Sequence, residues 1–325
     1  MPLVELGIQL GLIILFVRYE LRDTFIMTLI DIAKADKNVI LMTGDLGFGV
    51  LKPYWMQLPN QFINAGIAEQ NMTSMAAGMA IENKIIFTYS IGNFSTFRCL
   101  EQIRNDCAYH GCNVKIISVG GGFAYGALGM SHHATEDISI MRAIPNIVVM
   151  APGDQIETIE ATKAIYQHQG TCYMRLGRGG ERQIHEKLNN FRIGKALKIR
   201  EGSHIVIFTT GTIADEALKA VEILFKLQKK CSLWMFPTVK PIDEDVVIKA
   251  SNHHEYIITV EEHNVVGGFG SAIAEVITGN KLNVILIRIG IEDEFCSIVG
   301  DQSFLRKKHR LCADDIIKIV LEHYK

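Results

Sequence analysis

The chain has 325 residues, 48% of them hydrophobic and 21% charged, with a formal net charge of -2 at pH 7. That length exceeds one small core and predicts about two globular domains, and the absence of a basic excess argues against a nucleic-acid-binding role. Seven scattered cysteines with no C-x-x-C pair predict reduced thiols in a cytoplasmic protein rather than a disulfide frame or a zinc site.

The apolar run Leu10 to Val17 is too short for a bilayer, which takes about 20 apolar residues. It also lacks the basic lead and small-residue cleavage site of a signal peptide. Residues 1–19 are read as a peripheral extension. From Leu21, apolar residues Phe25, Ile26, Leu29, Ile30 and Ala33 recur at helical spacing, and Asn38 to Thr43 follows as a strand. Gly44-Asp45-Leu46-Gly47-Phe48-Gly49 lacks the lysine of a P-loop and the full G-x-G-x-x-G spacing, so a plain turn accounts for it.

The apolar run Phe62 to Ala65 then passes through Gly66-Ile67-Ala68-Glu69-Gln70 into a small-residue helix, Met72 to Ala80. A carboxyl at such a corner is held largely out of water, which favours its protonated form unless a partner shares the proton. An acidic residue at a first turn also simply complements the helix dipole. The small residues Ala76, Ala77, Gly78 and Ala80 suit a close helix approach at a subunit interface, or packing against the chain's own sheet. After a strand over 85–89, Phe94, Phe97 and Arg98 stand at the entry of a helix over 96–109. The two rings suit a wall for a flat apolar ligand, or core packing.

A strand over 114–119 leads to Ser131, His132 and His133. With Ser131 as N-cap, a helix over 133–143 would place both imidazoles in its first turn, where the dipole favours the neutral form. Strands over 147–150 and 171–174 flank a helix over 155–167. Such alternation implies a mainly parallel sheet covered on both faces. The glycine-rich, then charged, stretch from Gly177 to about Arg200 reads as a linker. The expected organisation is a first domain over 20–180, a linker over 181–200 and a second, smaller α/β domain over 201–325. The second domain has strands over 204–209, 232–236, 255–260 and 284–289, and helices over 213–229, 267–277 and 313–323. Within it, Glu261-Glu262-His263-Asn264-Val265-Val266-Gly267-Gly268-Phe269-Gly270 joins a strand to a helix. Its paired glycines make either an anion site or, as the favoured reading, a packing corner.

In order and spacing, the stretches Gly66 to Gln70, Phe94 to Asp106, Ser131 to Asn146, Tyr173 to Arg178, Lys240 to Asp243 and Glu261 to Gly270 resemble the C-terminal half of transketolase. The resemblance spans nearly everything from Leu21 to Lys325. It implies two doubly wound α/β domains with mainly parallel sheets, a thiamine pyrimidine-binding domain followed by the transketolase C-terminal domain. It further implies that Glu69 hydrogen-bonds the aminopyrimidine of thiamine diphosphate, that Phe94 and Phe97 wall that ring, and that His132 faces substrate. By the same resemblance Arg178 holds substrate phosphate, Arg98 is a further substrate-binding residue, and Asp45 belongs to the cofactor or substrate region.

The family's GDG motif, which with a later asparagine binds diphosphate and Mg2+, is absent from this sequence. The resemblance therefore implies half of an active site, completed by an N-terminal diphosphate-binding subunit in an α2β2 assembly, with Mg2+ held mainly by that partner. Leu128, Gly120 and Gly49 stand where the family usually has a hydroxyl-reading aspartate, a phosphate-binding histidine and a phosphate-contacting serine. Their loss weakens charge-assisted recognition of an ordinary sugar phosphate and points to an unusual sugar. The rival readings are the β subunit of a 2-oxoacid dehydrogenase E1, a deoxyxylulose-phosphate-synthase-like subunit, and a non-catalytic scaffold or regulatory paralogue.

Overall fold

The computed structural model describes residues 20–324, so the expected extension 1–19 lies outside the described residues. Helix α1 (Leu21–Ala35) buries Leu21, Phe25, Ile26, Leu29, Ile30 and Ala33 on one face, the amphipathic stripe that its sequence spells. Strand β1 (Val39–Thr43) follows, buried at every residue. Helix α2 (Phe48–Gln57), strand β2 (Phe62–Asn64), helix α3 (Glu69–Ile81), strand β3 (Ile85–Ile91) and strand β4 (Val114–Val119) come next. Helix α4 (Asp137–Ala143), strand β5 (Val148–Met150), helix α5 (Gln155–Gln167) and strand β6 (Cys172–Leu176) complete the first run. The six strands lie in the order β5-β6-β4-β3-β1-β2, all parallel. Strands β4 and β6 are also buried throughout, as a parallel sheet layered between helices requires.

The second sheet has the order β12-β11-β8-β9-β7. Its parallel members are β8 (His204–Thr209), β9 (Ser232–Met235), β11 (His254–Asn264) and β12 (Ile285–Ile291). Helices α6 (Ala214–Lys226), α7 (Glu244–His253), α8 (Phe269–Gly279), α9 (Gln302–Lys308) and α10 (Ala313–His323) accompany it. Strand β7 (Leu197–Arg200) pairs antiparallel with β9, so the end of the stretch read as a linker is an edge strand of this sheet. Strand β10 (Thr238–Lys240) crosses back and pairs antiparallel with β5 in the first sheet.

Two helices differ from the sequence expectation. Residues 96–109 form no single α-helix: Thr96, at φ -114 and ψ -80, separates the short helix Gly92–Ser95 from a 3-10 turn at Phe97–Cys99. After one α-turn the segment Ile103–Ala108 is a π-helix. The expected start of a helix at His133 is also corrected, since α4 begins at Asp137. Gly122 and Ala134 exchange backbone hydrogen bonds of 2.8 and 3.1 Å, an antiparallel bridge that keeps this part of the chain extended. Asn93 Nδ2 meanwhile donates to the carbonyls of Ser131 and His133 at 3.0 and 2.9 Å, occupying acceptors that a helix over 133–143 would use.

Candidate active site

The residues singled out from the sequence gather at the carboxyl ends of parallel strands, where open α/β sheets form their binding crevices. Glu69 is the first residue of α3 and only 4% exposed. Gly44, directly after β1, backs it closely: a Cβ on Gly44 would lie 3.4 Å from Glu69 Cγ. Arg98 Nη1 donates to Glu69 Oε1 at 3.1 Å from a side chain that is about half exposed. The Arg98 guanidinium also lies 4.5 Å from the centre of the Phe94 ring.

From Phe94 the contacts continue. His132 stands 5.2 Å from Phe94 and 6.3 Å from Tyr125, ring centre to ring centre, and Arg178 lies 5.0 Å over Tyr125. Arg98, Phe94, His132, Tyr125 and Arg178 thus form a continuous ladder of cations and rings. Beside it opens a cleft of about 720 Å³ lined by Phe94, Phe97, Arg98, Met130, Ile140 and Phe295, among others. Both phenylalanines singled out in the sequence line this cleft.

His132 closes a 3-10 turn, Met130–His132, with Nδ1 3.0 Å from Ser131 Oγ. The helix dipole invoked for it from the sequence does not act there. Burial, and then the neighbouring His133, push its pKa down, so the neutral imidazole is favoured for a different reason. His133 is buried, its ring edge-on to Phe123 and Nε2 3.1 Å from the Gly126 carbonyl. Asp45 is exposed at φ +57 and does not line the cleft. Its carboxylate accepts from Asn64 Nδ2 at 2.9 Å and its amide donates to Asn64 Oδ1 at 3.0 Å, clasping the loop after β1 to the end of β2.

The three departures from the family pattern have distinct surroundings. Gly120 has φ +90, and a Cβ there would lie 2.0 Å from Tyr125 Cδ2; the tyrosine fills the space a larger residue would take. Leu128 is 54% exposed, and around Gly49 there is open space. Tyr125, Asn93 and Phe295 were not found from the sequence. The first lies in an aperiodic loop and the third comes from the second domain. Only Asn93, a polar residue next to Phe94 at the end of an apolar strand, carried a signal.

The expected anion site or packing corner at Gly267 to Gly270 is filled by the chain itself. Glu261 accepts from the amides of Phe269 and Gly270 at 2.6 and 2.8 Å, satisfying free N–H groups at the start of α8. A further cluster, Asp154, Glu157 and His185, brings three potential ligand atoms within 4.8 Å of one another. Asp154 caps α5 through the Glu157 amide and accepts from the amides of Ile184 and His185 at 2.9 and 2.7 Å. Its oxygens thereby fasten the segment after β6 to the head of α5. All seven cysteines are free.

The chemistry on offer is a buried carboxylate next to an aromatic cleft, with a neutral imidazole and a stacked guanidinium further along. These groups stand together at the carboxyl ends of the strands in the first of two doubly wound α/β domains. Residues 18–182 match the model of the transketolase pyrimidine binding domain and residues 194–311 that of the transketolase C-terminal domain. The chain belongs to the transketolase family. It is 40% identical to a transketolase C-terminal section of Methanocaldococcus jannaschii, over 92% of this chain and 94% of that protein. It is 35% identical to a 6-deoxy-6-sulfo-D-fructose transketolase subunit of a Clostridium species, over 93% and 94%. Among solved structures it resembles a split-gene transketolase determined as an inactive β4 tetramer, with a TM-score of 0.84, 29% identity and coverage of 94% and 97%.

Proposed function

We propose that this chain is the pyrimidine-binding subunit of a two-chain, thiamine-diphosphate-dependent enzyme that transfers a two-carbon ketol unit between sugars. The observation that carries this reading is the placement of Glu69, nearly buried and joined through Arg98 to a cleft walled by Phe94 and Phe97. An apolar, ring-lined cleft next to one sequestered carboxylate fits an aminopyrimidine, which is flat and carries a basic ring nitrogen. The cleft offers no comparable provision for a diphosphate. Its arginine, Arg98, is engaged with Glu69, and a partner subunit holds the diphosphate and Mg2+ in this reading, with an α2β2 assembly in the cytoplasm.

When bound, thiamine diphosphate supplies the carbanion chemistry of ketol transfer. Glu69 holds a proton at the pyrimidine ring nitrogen, and its burial keeps water from competing for that proton. Phe94 and Phe97, which line the cleft, would hold the ring by apolar contact. His132, kept neutral, donates to or accepts from substrate oxygens, and Arg178, held on the Tyr125 face, receives an anionic end of the sugar. Leu128, Gly120 and Gly49 in place of a hydroxyl-reading carboxylate and two phosphate contacts, with Tyr125 filling the space over Gly120, favour an unusual sugar, deoxygenated or nucleotide-linked.

Calorimetry of thiamine diphosphate with Mg2+ tests the divided site. Binding only to the pair of subunits is the expected result; tight binding to this chain alone refutes it. Offering pyruvate against a ketose donor then separates ketol transfer from 2-oxoacid and deoxyxylulose-phosphate chemistry. Efficient use of xylulose 5-phosphate with ribose 5-phosphate would refute the unusual substrate.

A further inference from the structure

The loop carrying Tyr125, Leu128 and His132 belongs to the first domain, yet its first end is bonded directly to one residue of the second, and its last end is joined to that residue's backbone through Arg175. Glu262, 4% exposed on β11, accepts from the Phe123 amide through Oε1 at 2.7 Å. Its own carbonyl accepts from Arg175 Nη2 at 2.7 Å, and the same Nη2 donates to the Ala134 carbonyl at 3.2 Å. The approach is so close that a Cβ on Gly122 would lie 2.6 Å from Glu262 Cγ. The remaining capacity of the carboxylate is taken by Gln302, whose Nε2 lies 3.0 and 3.1 Å from the two oxygens, and by Arg306, which donates to Oε2 from Nε at 2.8 Å and from Nη2. A carboxylate has about four lone-pair sites; the five contacts here, with Gln302 Nε2 shared between the two oxygens, fill them, and one of the five goes to the loop.

We propose that Glu262 is a positioning residue: from the second domain it fixes the segment 122–134, and through it the place of His132 against Phe94, which lines the cleft. The kinetic part of this proposal rests on the ketol-transfer reading; the structural part does not. Asn93 holds the carbonyls of Ser131 and His133 from the first-domain side, so the loop is clamped between the domains. A displacement of about 1 Å at a reacting group costs on the order of 100-fold in rate, and that is the leverage of this clamp.

Two variants test it. E262Q keeps an oxygen for the Phe123 amide but turns an NH2 group toward Arg306 or the loop. The double variant E262A/R306M removes the whole ion pair, so that no buried charge is left alone. Backbone hydrogen exchange in the full chain is expected to quicken at least about tenfold for the amides of Gly122, Phe123 and Ala134 in E262A/R306M, and less in E262Q, which retains an acceptor for the Phe123 amide, with both sheets unchanged. In the assembled enzyme, thiamine diphosphate affinity should stay within about twofold while kcat falls roughly 10- to 100-fold. Unchanged exchange over 122–134, or exchange quickened equally in both sheets, overturns the proposal. So does full kcat in a variant whose loop has loosened. If the wild-type assembly transfers no ketol unit, the functional reading fails, while the exchange measurement still decides whether Glu262 holds the loop.

Discussion

The fit of Tyr125 over Gly120 can be tested on stability alone. Gly120→Ala adds one carbon that meets the Tyr125 ring at 2.0 and 2.2 Å, on a backbone at φ +90. An L-residue in the left-handed region costs about 1–2 kcal/mol, and forcing an extra carbon into a packed site about 1–3 kcal/mol. The sum centres on about 3.5 kcal/mol, a fall in Tm of roughly 7–14 °C for a domain of this size. In a Tyr125→Ala background the collision disappears and only the backbone cost stays, so the same change should then cost about 1–2 kcal/mol. Denaturant or thermal unfolding of the four proteins of this cycle measures the difference. Equal cost of Gly120→Ala in both backgrounds would refute the claim that the ring occupies the space above Gly120.

Glu69→Ala should lower turnover of the assembled enzyme by at least about 100-fold while leaving subunit assembly intact. Undiminished activity, or no activity in wild type either, would favour the scaffold reading. On α3, Ala76 and Ala77 face inward, whereas Gly78 is exposed with no atom within 4 Å of a Cβ placed there. Gly78→Trp should leave the chain's own Tm equal or higher, since glycine is a poor helix former by about 1 kcal/mol, yet block association with the partner in gel filtration. Normal assembly of that variant would remove this face from the interface. The buried pair Glu261 and His263 makes a pH prediction with opposite signs. Burial pushes Glu261 up to about 7 and His263 down to about 4. The folded chain thus binds extra protons at Glu261 and fewer at His263. The first stabilises less as pH rises from about 4.5 to 7; the second stabilises more as pH rises from about 4 to 6.5. Relative to wild type, His263→Asn should make stability fall with pH over that window and Glu261→Gln should make it rise. Urea unfolding at several pH values checks this, and slopes of one sign in both variants would contradict it.

Periodicity made the long helices and buried strands legible. The spacing of Phe25, Ile26, Leu29 and Ile30 is a local signal, and α1 and α10 have the bounds it predicts. The corner at Glu69 was legible for the same reason, since a strand, a glycine and a small-residue helix follow one another without a break. What escaped was set by contacts distant in sequence. No local feature of Ser131 to Glu136 reveals that Asn93 takes its carbonyls or that Gly122 pairs with Ala134, so a capped helix was the natural expectation. Similarly, Asp154 gave no sign of His185, which reaches it only when the chain after β6 folds back. The neutral imidazole at His132 was inferred correctly in state but not in cause. The pyrimidine-binding role proposed for Glu69 came from resemblance, because the residues alone fit a helix first turn equally well.

The crossover of β10 into the first sheet bears on how the protein is made. On a ribosome, every strand of the pyrimidine-binding sheet emerges early except this last one, which appears only after β7, β8 and β9 of the next sheet. Until residue 240 has left the tunnel, β5 offers an open row of N–H and C=O groups, the kind of edge that recruits strands from other chains. A nascent or clipped first domain is therefore the sticky species. The second domain acts as its guard, and severing the two at the apparent boundary would strip that protection away.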